Sequence, residues 1–436
     1  MTDLFTGGRR EAPPLSPALA LPALLDDAAR RHGARTALIG PGRRRTGFRA
    51  LRRSAVRVAA GLARLGVRPG ERVALLLPDC RESVVVCHAV WRLGAVVVPL
   101  DPARRWADTS AVVVVAPRGA ATEVSRAWRG AALRAVVAVD GDAAQEVVQG
   151  DAREDAPGVC VGYGDLDTRH ASAPLPAGPA PGDLAVVLHP RDGTPVGLRH
   201  RNLVAAARQL AAWHGESGGR VMSLVPVHRA QGLVLTVLAP LLTGSRTVLA
   251  PRDPAPLAVL RAARRRAPTL LAAPPAALRG LLDRPAHERE ALATVRTILT
   301  APLDPGTGDR ARAALDARVV EAYGPEAAAG VALANPPSAD ARPGTVGLPL
   351  PGTEVRIAVE GVPEVDVLPG HAGELLLRGP QLGHTTGLLV GGWLRTGRLA
   401  VRGPDGYVTL LGRTPGPGVT WRPGPGAARA SATPPT

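Results

Sequence analysis

An α/β fold with mostly parallel sheets is the class this sequence predicts, and three observations carry the prediction. Short apolar runs alternate with amphipathic segments of about 10–15 residues, the pattern of βαβ units. The alternation fills two successive stretches and stops near residue 340, beyond which only short strands between turns are readable. The 436 residues are 45% hydrophobic and 21% charged, enough for a large core, while aromatics reach only 3%, so Ala, Val and Leu must fill it.

The elements follow in chain order. Residues 1–20 read as a flexible leader. Leu21–Gly33 has the spacing of an amphipathic helix. A second helix is expected over Phe48–Leu65, where Leu51, Ala55, Val58, Ala59, Leu62 and Leu65 recur at helical spacing and Gly66 is a natural stop. Arg72–Leu77 reads as a buried strand closed by Pro78, Glu82–Leu93 as a helix, and Ala95–Pro99 as the next strand. Ala111–Ala116 and Ala135–Val139 continue the strand pattern, and residues 171–182 read as a linker.

A second α/β unit opens with the strand Leu184–Leu188, a Gly/Pro loop and a helix over Asn202–Trp213. Strands at Val221–Val225, Arg246–Leu249 and Thr269–Ala272 alternate with helices at Leu233–Leu242, Pro256–Arg266 and Pro275–Leu282. Past residue 340, Thr353–Val359, Gly373–Arg378, Trp393–Val401 and Gly406–Leu411 make a small β-rich unit. The Pro/Gly-rich remainder cannot pack a core. The expected division is a leader (1–20), a first αβ subdomain (21–182), a second (183–340), a small β-rich subdomain (341–413) and a disordered tail (414–436).

Fifty-three basic against 37 acidic residues give a net charge of +16, and every basic residue is Arg. The absence of lysine excludes lysine nucleophiles, Schiff bases and a phosphate-binding ammonium. The arginines are scattered and few aromatics are available for base stacking, so a nucleic-acid role is disfavoured. Cys80, Cys87 and Cys160 have no metal-ligand spacing, and an odd count fits a reducing compartment. No signal peptide is visible and no apolar stretch is long enough to span a bilayer, so a soluble, cytoplasmic protein is expected.

The loop after Leu184–Leu188 reads HPRDGTPVGLRHRN, residues 189–202. A Gly-rich turn from strand to helix can present N–H groups to phosphate. Alone, this one reads as an ordinary turn. Other segments change that: PVHRAQG (226–232), VVEAYGPE (319–326), PGTVGLPLPGTEVRI (343–357), GELLLRGPQ (373–381) and GWLRTGRLAVRGPDGYVTLLGR (392–413). In this order and spacing the chain resembles the AMP-forming acyl-CoA synthetases. These belong to the adenylate-forming superfamily that includes firefly luciferase and peptide-synthetase adenylation domains. The resemblance runs from Leu21 to Arg413. PVHRAQGL and TAPL are similar to segments of enzymes for small acids such as oxalate or malonate.

The resemblance implies two αβ subdomains packed on each other and a small β-barrel, with ATP or AMP, Mg²⁺ and coenzyme A as ligands. It implies attack of a carboxylate on the α-phosphate of Mg·ATP, then transfer of the acyl group to a thiol. The family's C-terminal lid and its lysine are expected to be absent. Gly193, Thr194, Pro195 and Gly197 match the family's phosphate loop, but its Lys is Val196, and His189, Pro190, Arg191 and Asp192 replace its hydroxyl-rich part. Pro190 has no N–H to donate, and Asp192 places a carboxylate where phosphate should sit.

Tyr323 and Gly324 match the adenine-stacking pair. Read without a gap, the family's metal-holding Glu is Ala327 here; read with a one-residue deletion, Glu326 is the metal ligand. The unchanged spacing from Tyr323 to Asn335-Pro336 favours the gapless reading, and no other metal ligand is assigned. Arg398 stands where the family's Thr-Gly-Asp holds ribose, so an acceptor has become a donor. Arg413 matches an Arg that contacts ribose. His228 and Gly232 lie at the acyl-pocket motif, His200 and Arg201 at a helix start, and Glu374 reads as structural. The sequence thus points to a relative of ATP-dependent carboxylate–CoA ligases with impaired or lost catalysis, taking a small carboxylic acid or acyl ligand and no nameable protein partner. The alternatives are a reduced but active ligase and a basic nucleic-acid binder.

Overall fold

The computed structural model describes residues 19–40, 44–101, 110–127, 133–140, 159–167, 175–190, 194–215, 218–252, 254–338, 341–383 and 389–414. Residues 1–18 of the expected leader, 171–174 of the expected linker and 415–436 of the expected tail lie outside them.

Two large sheets and one small one organise the chain. In the first, the spatial order is Val159–Gly162, Ala135–Val139, Ala111–Pro117, Arg72–Leu75, Val96–Pro99, Leu184–Leu188 and Val196–Arg199. All neighbours are parallel except the last pair. The central strands are near-continuous valine because both faces are covered, which removes any need for polar alternation.

Period two still sorts their side chains. Val73, Leu75, Val97, Val113 and Val115 join the large core between the sheets. Ala74, Val96, Val98 and Val114 join an outer cluster with Ala121 and Val124 of the helix Arg118–Ala127. The second sheet is sorted in the same way. Leu270, Ala272 and Leu299 face the shared core, while Leu271 and Ile298 face outward onto Val259, Leu278 and Ala311. The helices Leu21–His32, Phe48–Arg64, Arg81–Arg92 and His200–His214 fill the layer between the sheets.

The second sheet runs Leu348–Pro349, Leu333–Ala334, Arg318–Tyr323, Thr297–Thr300, Leu270–Ala272, Arg220–Ser223, Arg246–Val248, Thr36–Ile39 and Arg45–Gly47. Sheet membership therefore crosses residue 183 in both directions. The early hairpin 36–47 joins the second sheet, and strands 184–188 and 196–199 close the first.

The third sheet is antiparallel and barrel-like, with Glu354–Val359, Val362–Asp366, Gly373–Arg378, Leu389–Val390, Trp393–Arg402 and Val408–Arg413. Among the described residues no helix is long and apolar enough to cross a membrane.

Two sequence expectations are corrected and one strand is added. The expected loop at 189–202 contains the edge strand Val196–Arg199, and the helix begins two residues early at His200. The Asn202 side chain accepts from the Arg199 N–H at 2.9 Å, which fixes that start. The helix expected at Leu233–Leu242 begins at Ala230 and is π-helical over Val234–Leu238. Pro240 cannot donate to the Thr236 carbonyl, and the Thr247 hydroxyl donates to it instead at 3.0 Å. Val362–Asp366 was missed because it is an exposed edge strand with no buried face to pattern it.

His88 is buried in the middle layer, edge-on to Trp91 at 5.3 Å between ring centroids. Burial holds its imidazole down to about 3, whereas an unfolded histidine titrates near 6.5. Below that value the unfolded chain binds a proton that the fold does not. This stability is therefore complete above about pH 6.5 and erodes by about 1.4 kcal/mol per pH unit as pH falls toward 3. His200, held down to about 4 by burial, adds to the same window. Urea unfolding at pH 6.5, 5.5 and 4.5 should show a shallower slope for His88→Leu than for the parent. Equal slopes would mean that His88 titrates normally in the fold.

Candidate functional site

Tyr323 is the last residue of the strand Arg318–Tyr323. In open α/β sheets, ligands bind beyond the carboxyl ends of the strands. The Tyr323 carbonyl accepts from the Ala332 N–H at 2.9 Å, so Gly324 and the following turn fold back as a tight hairpin. Gly330 in that hairpin has φ +98°, and a Cβ there would lie 2.3 Å from the Gln231 nitrogen, so the hairpin presses on the start of the helix Ala230–Leu233.

The small sheet brings the arginines to Tyr323. Arg398 sits on the strand Trp393–Arg402, opposite Arg413 in register. Its guanidinium carbon lies 6.0 Å from the centroid of the Tyr323 ring. Burial pushes the Tyr323 phenol up, and the neighbouring Thr396 hydroxyl and Arg398 guanidinium pull it partly back. The backbone under Arg398 is held from below. The Thr396 hydroxyl donates to the Leu375 carbonyl at 2.7 Å and accepts from the Arg398 N–H at 3.2 Å. Glu374, 1% exposed, accepts from Arg395 at 2.6 Å and from the Gly397 N–H at 3.3 Å.

Glu326 lies on the other side of the hairpin. One of its oxygens accepts from the Ala230 N–H at 2.6 Å and the other pairs with Arg229. Ala327, 4% exposed, packs in the core. His228 is half-buried in the turn before that helix. The preceding Val227 N–H donates to Asp79 at 3.0 Å, and burial pushes that carboxylate up to about 6. Gly232 is buried, and a Cβ on it would lie 2.1 Å from the Pro226 carbonyl oxygen, so no larger residue fits there.

Of the expected phosphate loop, Gly193 lies outside the described residues, and Thr194 and Pro195 are exposed. Val196 is buried in the edge strand. Gly197 meets Gly383, whose N–H donates to the Ala327 carbonyl at 2.7 Å. The segments singled out along the sequence thus converge around residues 323–331.

The sequence profile described as AMP-binding enzyme matches residues 25–385. The chain belongs to this family. It is 32% identical over 410 residues to triostin synthetase I of Streptomyces triostinicus, covering 89% of this chain and 74% of that one. It is 31% identical over 419 residues to a Mycobacterium tuberculosis protein named 3-[(3aS,4S,7aS)-7a-methyl-1,5-dioxo-octahydro-1H-inden-4-yl]propanoyl:CoA ligase, covering 90% and 79%. The anthranilate CoA ligase AuaEII, solved in complex with anthranoyl-AMP, superposes with a TM-score of 0.80 at 21% identity over 92% of this chain and 78% of that one, a likeness of fold.

Against the ligands of an AMP-binding enzyme, the residues fit unevenly. Tyr323 is half-buried against the core and the Arg398 guanidinium lies over its ring, so a base stacked on that face would have to displace Arg398. Arg398 offers donors only, so it does not replace a carboxylate that accepts from ribose hydroxyls. Each Glu326 oxygen already accepts from Arg229 or Ala230, so a Mg²⁺ ion at this carboxylate would have to share or displace those partners. Among the described residues no three His, Cys, Asp or Glu side chains cluster as a metal site.

Glu326→Ala should destabilise the fold by about 1.5–3 kcal/mol, the range for a charge-assisted bond, and Glu326→Gln by less, since Gln can still accept from Ala230. Millimolar Mg²⁺ should leave the parent melting temperature unchanged. A Mg²⁺-dependent rise that Glu326→Ala abolishes would make Glu326 a metal ligand.

Sequence reading did not single out Asp79 or Arg229. Asp79 carries no motif, and only the fold places it under the Val227 turn. Arg229 lay inside a motif, and its opposite charge to Glu326 was the available signal.

Proposed function

We propose that this AMP-binding family member keeps a nucleoside and acyl pocket around Tyr323 and His228 but activates carboxylates poorly or not at all. The observation that carries the reading is Glu326 engaged by Arg229 and Ala230 beside the buried methyl of Ala327. At the two positions available for the metal carboxylate, one holds a committed glutamate and the other an alanine. Two of the three proteins compared above are named CoA ligases, which supports carboxylic acids, adenine nucleotides and coenzyme A as the ligand classes to test. The comparisons lend no support to the nucleic-acid reading. Cys80, Cys87 and Cys160 are free thiols, in keeping with a reducing, cytoplasmic location.

Isothermal titration with AMP, and with ATP in the presence and absence of Mg²⁺, tests the reading. Measurable nucleotide binding that Mg²⁺ does not strengthen is expected. Tenfold tighter ATP binding with Mg²⁺ would restore the ligase.

A further inference from the structure

We propose that the cleft between the helix His200–His214 and the loops flanking the strands Glu354–Val359 and Gly373–Arg378 binds an organic dianion, two acidic groups joined by a slender apolar body. The site is separate from Tyr323 and His228, neither of which lines the cleft.

The cleft is built before any ligand arrives. Its volume is about 650 Å³, within the roughly 300–1,000 Å³ usual for small-molecule sites. One wall is the helix, and the other is formed by Pro351, Pro380 and Leu382. Buried amides of the helix hold the two walls in place. The Asn202 side chain donates to the Pro380 carbonyl at 2.9 Å, and the Gln209 side chain donates to the Pro351 carbonyl at 2.8 Å. Between those loops, buried Gln381 donates to the Thr353 hydroxyl at 2.8 Å. Walls fixed in this way do not have to be ordered on binding, a cost that otherwise lowers affinity.

Helical periodicity sets what the cleft presents. Residues three, four and seven apart share a helix face. Arg201, Val204, Ala205 and Arg208 are such a set, and all four line the cleft. At a rise of about 1.5 Å per residue, the backbones of Arg201 and Arg208 lie roughly 10 Å apart along the axis. The stripe therefore reads cation, apolar, cation, and it faces an apolar wall of two prolines and a leucine. Among the described residues no Asp or Glu lines the cleft. Arg208 also makes a contact of its own, and the five donors of a guanidinium serve more than one acceptor.

The ligand class follows from that stripe. An acidic group at each arginine makes charge-assisted bonds, and an apolar spacer covers Val204 and Ala205. A monoanion engages one arginine and leaves the other without its anion. A short diacid has to draw both side chains inward over the apolar middle.

Calorimetric titration of the full chain with sebacate, suberate, succinate, decanoate and inorganic phosphate tests the proposal. Sebacate or suberate should bind tenfold or more tighter than succinate, decanoate and phosphate. Arg201→Gln and Arg208→Gln should each lower that diacid to the affinity of decanoate. Thermal melting confirms that each variant folds, and either variant alone suffices.

Decanoate binding as tightly as the long diacids overturns the second acidic group and with it the proposal. Phosphate or succinate binding as tightly overturns the spacer. Tight diacid binding that both variants leave unchanged places the ligand in another pocket and overturns the proposal, as does no binding of any of the five. Each of these results leaves the proposed function standing.

Discussion

Arg398→Asp is expected to tighten adenosine binding by up to about two orders of magnitude, while acid-dependent ATP–pyrophosphate exchange stays at background in both parent and variant. The gain follows from replacing a fixed positive charge that can only donate with an acceptor that ribose hydroxyls can donate to. One charge-assisted bond contributes on the order of 1.5–3 kcal/mol, or about one to two decades in affinity.

Exchange should stay absent because ribose binding does not alter the other positions. Val196 is an apolar side chain buried in an edge strand and offers no cation. Glu326 remains engaged by Arg229 and Ala230. Ala327 remains an apolar side chain in the core. Losing a single such group typically lowers a rate by about two to three orders of magnitude. The measurements are calorimetric titration and isotope exchange across short, medium and aromatic acids. Robust exchange with any acid would end the reading of impaired catalysis, and unchanged adenosine affinity would remove Arg398 from the ribose position.

Trp91→Ala should be among the most damaging single substitutions, at about 3–5 kcal/mol, the usual cost of emptying a large aromatic from a core. Trp91 is fully buried in the helix Arg81–Arg92, and its indole N–H donates to the Ala185 carbonyl at 3.0 Å. Ala185 sits where the ladder between 184–188 and 196–199 shifts register. The side chain therefore fills the middle layer and ties it to the first sheet at an irregular point. Trp91→Phe keeps most of the volume and loses the bond, so it should cost clearly less. Equilibrium denaturation of the two variants separates packing from the hydrogen bond. Equal losses would assign the whole effect to the bond.

Much of the candidate site was readable from residue order. Tyr323, Gly324, Arg398 and Arg413 were marked in sequence, and the fold brings Arg398 to the Tyr323 ring and Arg413 opposite it on the next strand. The state of Glu326 was not readable. Whether a carboxylate is available or engaged depends on what faces it, and Arg229 and Ala230 lie 97 and 96 positions away in the chain.

By itself the sequence determined the local elements: Pro275–Leu282 and Gly373–Arg378 have the expected bounds, and Phe48–Arg64 and Arg81–Arg92 shift by a residue. Periodicity, prolines and glycines act within a few residues, so they are written locally. That position 398 carries only donors is also written in the sequence, because it is a matter of residue type. Only the tertiary structure decided that the hairpin 36–47 pairs in the second sheet and that 196–199 forms an edge strand of the first. It alone decided that Glu326 is held by a helix start. Strand pairing and ion pairing join residues far apart in the chain, and no local pattern records which distant partner a buried face or a carboxylate will meet.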